Sequence, residues 1–183
     1  MHRLVITITL SLTLIACQKN SSVEFDLAIP NGDFEQWDAN QNLLIWRTNS
    51  CPLCVPPFET YIVQKQTDAT HGQFAAKFIY NNAYSSIATN KFAISVHPSA
   101  FTAYVKSHIA SGDTALLQVD LFLNNALVDS GKWLETTSTT NYKKLEIQIT
   151  QTSPAIDSAL ITILGGKRES TELFVDNLEF VKR

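Results

Sequence analysis

Between residues 116 and 123 the side chains alternate with a period of two: Leu117, Val119, Leu121 and Leu123 leave one side of an extended chain, and Leu116, Gln118, Asp120 and Phe122 the other. Asn124-Asn125 follows as a turn, since asparagine tolerates the left-handed backbone of tight hairpins. Leu145, Ile147 and Ile149 repeat the alternation against Glu146, Gln148 and Thr150. The same reading predicts strands near 24–29, 59–65, 73–80, 91–96, 101–108, 158–164 and 172–181, separated by turn clusters at Asp68 to Gly72, Ser111 to Asp113 and Gly165-Gly166. No helical period emerges beyond the N-terminal region. Strands this numerous without intervening helices cannot form βαβ units. They predict an all-β chain, a two-sheet antiparallel β-sandwich of jelly-roll type, with residues 24–183 forming a single domain.

The N-terminal residues follow a different rule. Basic Arg3 precedes an apolar run from Leu4 to Ile15, which closes on Leu14-Ile15-Ala16-Cys17. That order reads as a lipoprotein signal over residues 1–16 with Cys17 as the lipid attachment point, followed by a short tether to residue 23. A spanning helix would need ~20 apolar residues, and Gln18, Lys19, Asn20, Ser21 and Ser22 end the run too early. The chain is therefore expected to be anchored to a membrane by lipid without crossing it. Gln18, where an aspartate would resemble an inner-membrane retention signal, favours the outer membrane or cell surface.

Composition narrows the partners. The formal net charge is −3, removal of Arg3 makes the chain more negative, and no Lys/Arg cluster could follow a phosphate backbone; nucleic acid is excluded. With Cys17 assigned to lipid, Cys51 and Cys54 remain as a Cys-Pro-Leu-Cys pair in a non-reducing compartment. A thioredoxin-like redox pair would open a helix after a strand, whereas Pro52, Pro56 and Pro57 place this one in a loop, as a structural disulfide. A zinc half-site would lack its second Cys/His pair. His71, His97 and His108 are scattered and are expected to be surface or hydrogen-bonded residues.

The segment Ile29-Pro30-Asn31-Gly32-Asp33-Phe34-Glu35-Gln36-Trp37 resembles the opening of galactose-binding-like jelly rolls, among them the xylan- and glucan-binding carbohydrate modules and related domains of bacterial surface lipoproteins. Leu44-Ile45-Trp46, the run Thr70 to Lys77 and Leu173-Phe174-Val175-Asp176-Asn177-Leu178 follow in the order of that family, so the resemblance covers nearly the whole chain after the signal. It departs from the family in lacking a Pro-Asp-Gly-Trp turn and in carrying the Cys51–Cys54 insertion. The resemblance implies carbohydrate binding, and a structural Ca²⁺ where the first and last strands meet. Strict alternation places Asp176 on the side of Phe174, Leu178 and Phe180, where an unpaired carboxylate would cost several kcal/mol. Hard oxygen ligands suit calcium, so Glu35 and Asp176, assisted by Asp33, are the candidate ligands. The alternative is that Asp176 accepts backbone N–H groups at a strand bulge and Asp33 makes a turn.

Sugar recognition combines an aromatic ring with planar polar groups. Trp133, in Ser130-Gly131-Lys132-Trp133, and Tyr84, Tyr61 and Tyr142 are the candidate rings, while Gln118, Asp120, Glu146 and Gln148 point away from aliphatic positions and are candidates to line an open sheet face. Each ring has a competing place in the core, and Trp37 and Trp46 are expected to pack. No Gly-x-Ser-x-Gly, His-Glu-x-x-His or phosphate-cradling motif is present. The expected function is a non-catalytic, lipid-anchored carbohydrate-binding protein. The alternatives are a structural or protein-interaction module with an envelope protein partner, and then a small glycoside hydrolase using paired carboxylates such as Asp33 with Glu35 or Asp120 with Glu146. An aromatic platform beside Gln and Asp would favour glycan, and a broad apolar patch would favour a protein partner.

Overall fold

The structure, a computed structural model, describes residues 27–51, 53–54, 62–81, 84–150 and 155–182. Cys17 with its signal and tether, Tyr61 and the prolines at 52, 56 and 57 lie outside the described residues. Ten strands follow in order: β1 Arg47–Thr48, β2 Val63–Gln66, β3 Ala75–Ile79, β4 Ile87–Ala93, β5 Ala100–His108, β6 Ala115–Leu123, β7 Ala126–Glu135, β8 Thr139–Gln148, β9 Ser158–Leu164 and β10 Glu172–Val181. No helix occurs among the described residues. The strands form two five-stranded antiparallel sheets, β1-β4-β9-β6-β7 and β2-β3-β10-β5-β8. The chain is thus an all-β sandwich.

Alternation explains the packing. Leu117, Val119 and Leu121 of β6 and Ile161 and Ile163 of β9 are fully buried, as are Phe101, Ala103 and Val105 of β5 and Leu173 and Val175 of β10 on the opposing sheet. Their intervening neighbours stay partly accessible, apart from Thr102 of β5, which is buried as well. The hairpin turn is at Asn124 and Asn125, with φ of 52° and 64°, the left-handed pair that a two-residue turn requires.

Where the structure departs from simple alternation, the cause is local. Residues 27–29 form no strand, and the strand expected at 91–96 runs from 87 to 93. An additional strand, β7, carries an inverted pattern: Asp129 and Glu135 are buried while Leu127 and Leu134 are about half exposed. β7 is an edge strand with a register shift opposite Leu121/Phe122, and inward charges and bulges are devices that blunt an edge. These charges are partnered. Asp129 Oδ2 lies 2.7 Å from His97 Nε2, and Glu135 Oε2 lies 2.7 Å from Lys143 Nζ.

A second irregularity lies in β10. Its register with β5 shifts between Asp176 and Glu179, and Asn177 has φ 45°. The shift switches parity, so that Leu173 and Val175 before it, and Leu178 and Phe180 after it, all join the core. Phe174 and Asp176 are thereby directed to the outer side, which corrects the placement of Asp176 beside Leu178 and Phe180. The entry segment binds both sheets at this end: Leu178 N–H donates to Gly32 O at 2.8 Å, and Asn90 Nδ2 donates to Pro30 O at 2.8 Å. A Cβ on Gly32 would lie 2.9 Å from Ile29 Cβ and 3.0 Å from Leu178 O, so only glycine fits this crossing. Cys51 and Cys54 are joined by a disulfide with Cα–Cα 5.4 Å.

At the other end Asp113 organises the β9–β10 loop. Its carboxylate accepts Lys167 N–H at 2.8 Å, Arg168 N–H at 2.9 Å, Thr171 Oγ1–H at 2.6 Å and Thr114 N–H at 2.8 Å. Burial pushes the carboxyl pKa up, but the hydrogen bonds from Thr171 and from the Lys167, Thr114 and Arg168 amides outweigh it and hold the group below its ordinary value. Because the folded pKa is depressed, the stabilisation is complete above the unfolded value of ~3.9 and fades as pH falls through the folded one. Urea melts should show Asp113→Asn destabilised by about 2 kcal/mol at pH 7. The gap from the wild-type chain should close below pH ~4; a gap independent of pH would contradict this account.

Candidate functional site

The open face of the β1-β4-β9-β6-β7 sheet is set by register. On β6, Gln118 stands opposite Lys132 of β7 and Thr162 of β9; Thr162 stands opposite Thr89 of β4, and Thr89 opposite Arg47 of β1. These residues form one cross-strand row of polar side chains over all five strands. At ~4.8 Å between neighbouring strands the row runs roughly 19 Å. One step along, Asp120 faces Ser130 and Leu160, and Leu160 faces Lys91. On the other flank Leu134, Leu116, Leu164 and Ile87 form an aliphatic row.

Within the row Gln118 and Asp120 act together. Gln118 Nε2 donates to both Asp120 oxygens at 2.9 Å, which fixes the carboxylate and leaves the amide carbonyl as a free-standing acceptor direction. Both residues are partly accessible on a central strand, so their backbones are held by neighbours on each side. The aromatic ring on this face is Phe122, with Lys91 Nζ 5.1 Å from its centroid. Arg47, Lys91 and Lys132 are exposed. Such a row can donate to and accept from hydroxyls, with an aliphatic row along one flank.

The structure disperses the other candidate residues. Trp133 stands opposite fully buried Leu117 and packs against the core, with Lys143 Nζ 5.3 Å from its ring. It belongs to the inner side of β7 and is partly buried, so of the two places open to Trp133 it takes the packed one: the polar neighbours Ser130 and Lys132 point outward because of the alternation that turns Trp133 in. Tyr142 lies on the opposite sheet, where its hydroxyl donates to Asp68 O at 2.6 Å and Lys106 Nζ stands 5.2 Å from its ring. Burial, and then the Asp68 and Asp176 carboxylates, push the phenol pKa up, so this hydroxyl stays protonated as a donor. Tyr84 is 55% exposed on the loop entering β4. Glu146 and Gln148 lie on β8, in the other sheet, and bond to each other.

That second outer face holds a depression of about 360 Å³ lined by Lys106, His108, Thr140, Glu172 and Phe174, among others. Lys106 Nζ sits 4.2 Å from the Phe174 centroid, which leaves little of that ring free for stacking. A larger depression, about 510 Å³, lies at the end of the sandwich between the 96–99 and 148–150 segments.

Glu35 and Asp176 meet the same loop. Asp176 Oδ2 accepts Thr70 N–H at 2.6 Å, Thr70 Oγ1–H at 2.9 Å and His71 N–H at 2.9 Å. Glu35 Oε1 accepts the amides of Gln73 at 2.7 Å and Phe74 at 2.8 Å. Gly72, at φ 64°, sits between them, and a Cβ there would lie 2.2 Å from Glu35 Oε1. Asp176 Oδ1 is buried without a hydrogen-bond partner. An orphaned carboxylate oxygen, with a second carboxylate on the same loop, suits a hard cation. Asp33 is exposed and caps its own turn, with Oδ1 3.5 Å from Glu35 N. Among the described residues no three His, Cys, Asp or Glu side chains gather as a metal cluster.

No family model and no curated protein matches the chain. Solved structures do match in fold. The carbohydrate-binding module TmCBM61 in complex with β-1,4-galactotriose is similar over 85% of this chain and 97% of its own, with TM-score 0.53 and 16% identity. A structure described for carbohydrate-binding modules of the β-sandwich superfamily is similar over 82% of this chain and 63% of its own, with TM-score 0.52 and 14% identity. A candidate glycoside hydrolase from Bacteroides thetaiotaomicron is similar over 67% of this chain, which spans 57% of that protein, with TM-score 0.51 and 10% identity. At these identities the likeness establishes the β-sandwich fold.

Proposed function

We propose that this chain is a non-catalytic carbohydrate-binding β-sandwich, held at the outer membrane or cell surface by lipid on Cys17, with the row Arg47–Thr89–Thr162–Gln118–Lys132 as its glycan surface. The observation that carries the reading is that row: a continuous line of side-chain donors and acceptors across five strands, with an aliphatic row along one flank. The fold it shares with carbohydrate-binding modules supports it. Hydrolysis finds less support, because Asp120 and Glu146 lie on different sheets and Glu35 is committed to the amides of Gln73 and Phe74.

A second reading, an envelope protein partner on the same face, is favoured by the aliphatic row Leu134–Leu116–Leu164–Ile87. A glycan array probed with the chain starting after Cys17 separates the two. Binding should appear for a discrete glycan class, and Gln118→Ala combined with Asp120→Ala should weaken it about ten-fold, the effect of ~1.4 kcal/mol in lost hydrogen bonds, without moving the melting temperature. An array blank for every glycan would leave the protein-partner reading.

The anchor rests on Arg3, the Leu4–Ile15 run and Ala16-Cys17. Expressed in a bacterial envelope, the full chain should enter the detergent phase and incorporate labelled fatty acid. Cys17→Ala should abolish both, and retained label in that variant would rule the assignment out. Asp176 and Glu35, without Asp33, are the residues we assign to Ca²⁺, which would supply the positive charge that Asp176 Oδ1 faces without. The melting temperature should fall on chelation and recover with added calcium. A melting temperature indifferent to both would leave Asp176 compensated by the Thr70 and His71 donors alone.

A further inference from the structure

We infer that the glycan taken by the β1-β4-β9-β6-β7 face is anionic, a polysaccharide bearing uronic-acid carboxylates. This rests on the glycan reading of that face and names the chemistry it selects. The chain carries a formal net charge of −3, yet this surface has the opposite balance. Arg47 and Lys132 end the polar row on the two edge strands, and Lys91 stands one step along on β4. All three are exposed.

The carboxylates near them are already engaged. Asp120 is held in the fork of the Gln118 amide. Asp157, at the rim, accepts the Asn124 amide and the Ser158 hydroxyl, at 2.7 Å for the latter. Hydrogen bonds from Ser158 and Asn124 lower its carboxyl pKa, as does the nearby Lys91. Neither carboxylate forms an ion pair with Arg47 or Lys132 at salt-bridge distance, and Lys91 Nζ instead meets Asn125 Oδ1 at 3.4 Å.

Ring chemistry points the same way. A neutral glycan is gripped chiefly by flat aromatic faces. Here Trp133 packs, partly buried, against the core from the inner side of β7, and Phe122 has the Lys91 ammonium over it. Among the described residues of the five strands no aromatic ring stands free on this face; it offers hydroxyls, one amide and cations, and a polymer with repeated carboxylates uses all three. Arg47 and Lys132 stand roughly 19 Å apart along the row, a separation that an extended chain spans and a single small anion does not.

Binding of the full chain in detergent to de-esterified polygalacturonate, neutral β-1,4-galactan and duplex DNA tests this. Polygalacturonate should bind at low ionic strength, lose more than ten-fold in affinity near ~0.5 M salt as the charges are screened, and lose at least ten-fold in the Arg47→Gln/Lys132→Gln double variant. Lys182→Gln, which removes an exposed charge away from this face, should bind as the wild-type chain does. Tighter binding of the neutral galactan, sensitive to Gln118→Ala and indifferent to salt, would overturn the anionic class while leaving the glycan face in place. Binding of neither polysaccharide would remove both. DNA bound as tightly as polygalacturonate, and weakened by the same double variant, would overturn selectivity for a carboxylated glycan in favour of a generic polyanion surface.

Discussion

Two sheets can share a core only if each presents one face to the other, and in this chain that condition fixes which residues are left for anything else. Leu117, Val119 and Leu121 of β6, and Ile161 and Ile163 of β9, are removed from water against Phe101, Val105, Leu173 and Val175 of the opposing sheet. Burying each such side chain contributes on the order of 1.5–3 kcal/mol. A slip of one residue in β6 would turn Gln118 and Asp120 into the core and Leu117 and Val119 into water. The polar row on the outer side is thus held in place by the apolar row behind it. Its position needs no loop.

Withdrawing a carboxylate from water is expensive whether the core or a covering loop does it, and each one here answers with partners that also tie down a loop. Asp113 gathers the amides of Lys167 and Arg168 and the hydroxyl of Thr171. Asp176 and Glu35 clasp the 70–74 segment from either side of Gly72. Asp129 meets His97, whose Nδ1 lies 2.8 Å from Pro98 O. A carbonyl only accepts, so that nitrogen carries a proton. Removing one member of such a set leaves the other buried without compensation, so the loops at both ends of the sandwich are coupled to the core through charges.

Alternation made most of this architecture legible. The inward side of β6, the turn at Asn124-Asn125, the β8 pattern of Leu145 and Ile147 and the bounds of β9 and β10 follow from period two and turn chemistry alone. What escaped were the places where local rules yield to neighbours. β7 buries Asp129 and Glu135 and exposes Leu127 and Leu134 because it is an edge strand, so its hydrophobic pattern reads backwards and Trp133 passes for a surface ring. In β10 the shift at Asn177 reverses parity, which no count of residues from Phe174 to Phe180 reveals. The polar row proposed as the glycan surface was half visible. Gln118 and Asp120 belong to one strand and could be picked out together, while Arg47, Thr89, Thr162 and Lys132 come from four others and are joined only by register.

Weak contacts and the proposed lipid anchor would complement each other. Exposed ion pairs contribute ~0–1 kcal/mol each, and Arg47, Lys91 and Lys132 are all solvated, so on the proposed reading a face built from them and from hydroxyls would hold one short glycan loosely. A polymer presents the same group many times, and chains anchored side by side through Cys17, as proposed, would present the face many times. Linked binding of that kind multiplies modest affinities by ~10²–10⁴ without any new contact. On this argument a deep pocket with stacked aromatics would add little, and a flat, regular row on a sheet, repeated across an envelope surface, is the economical geometry for gripping an extended polysaccharide.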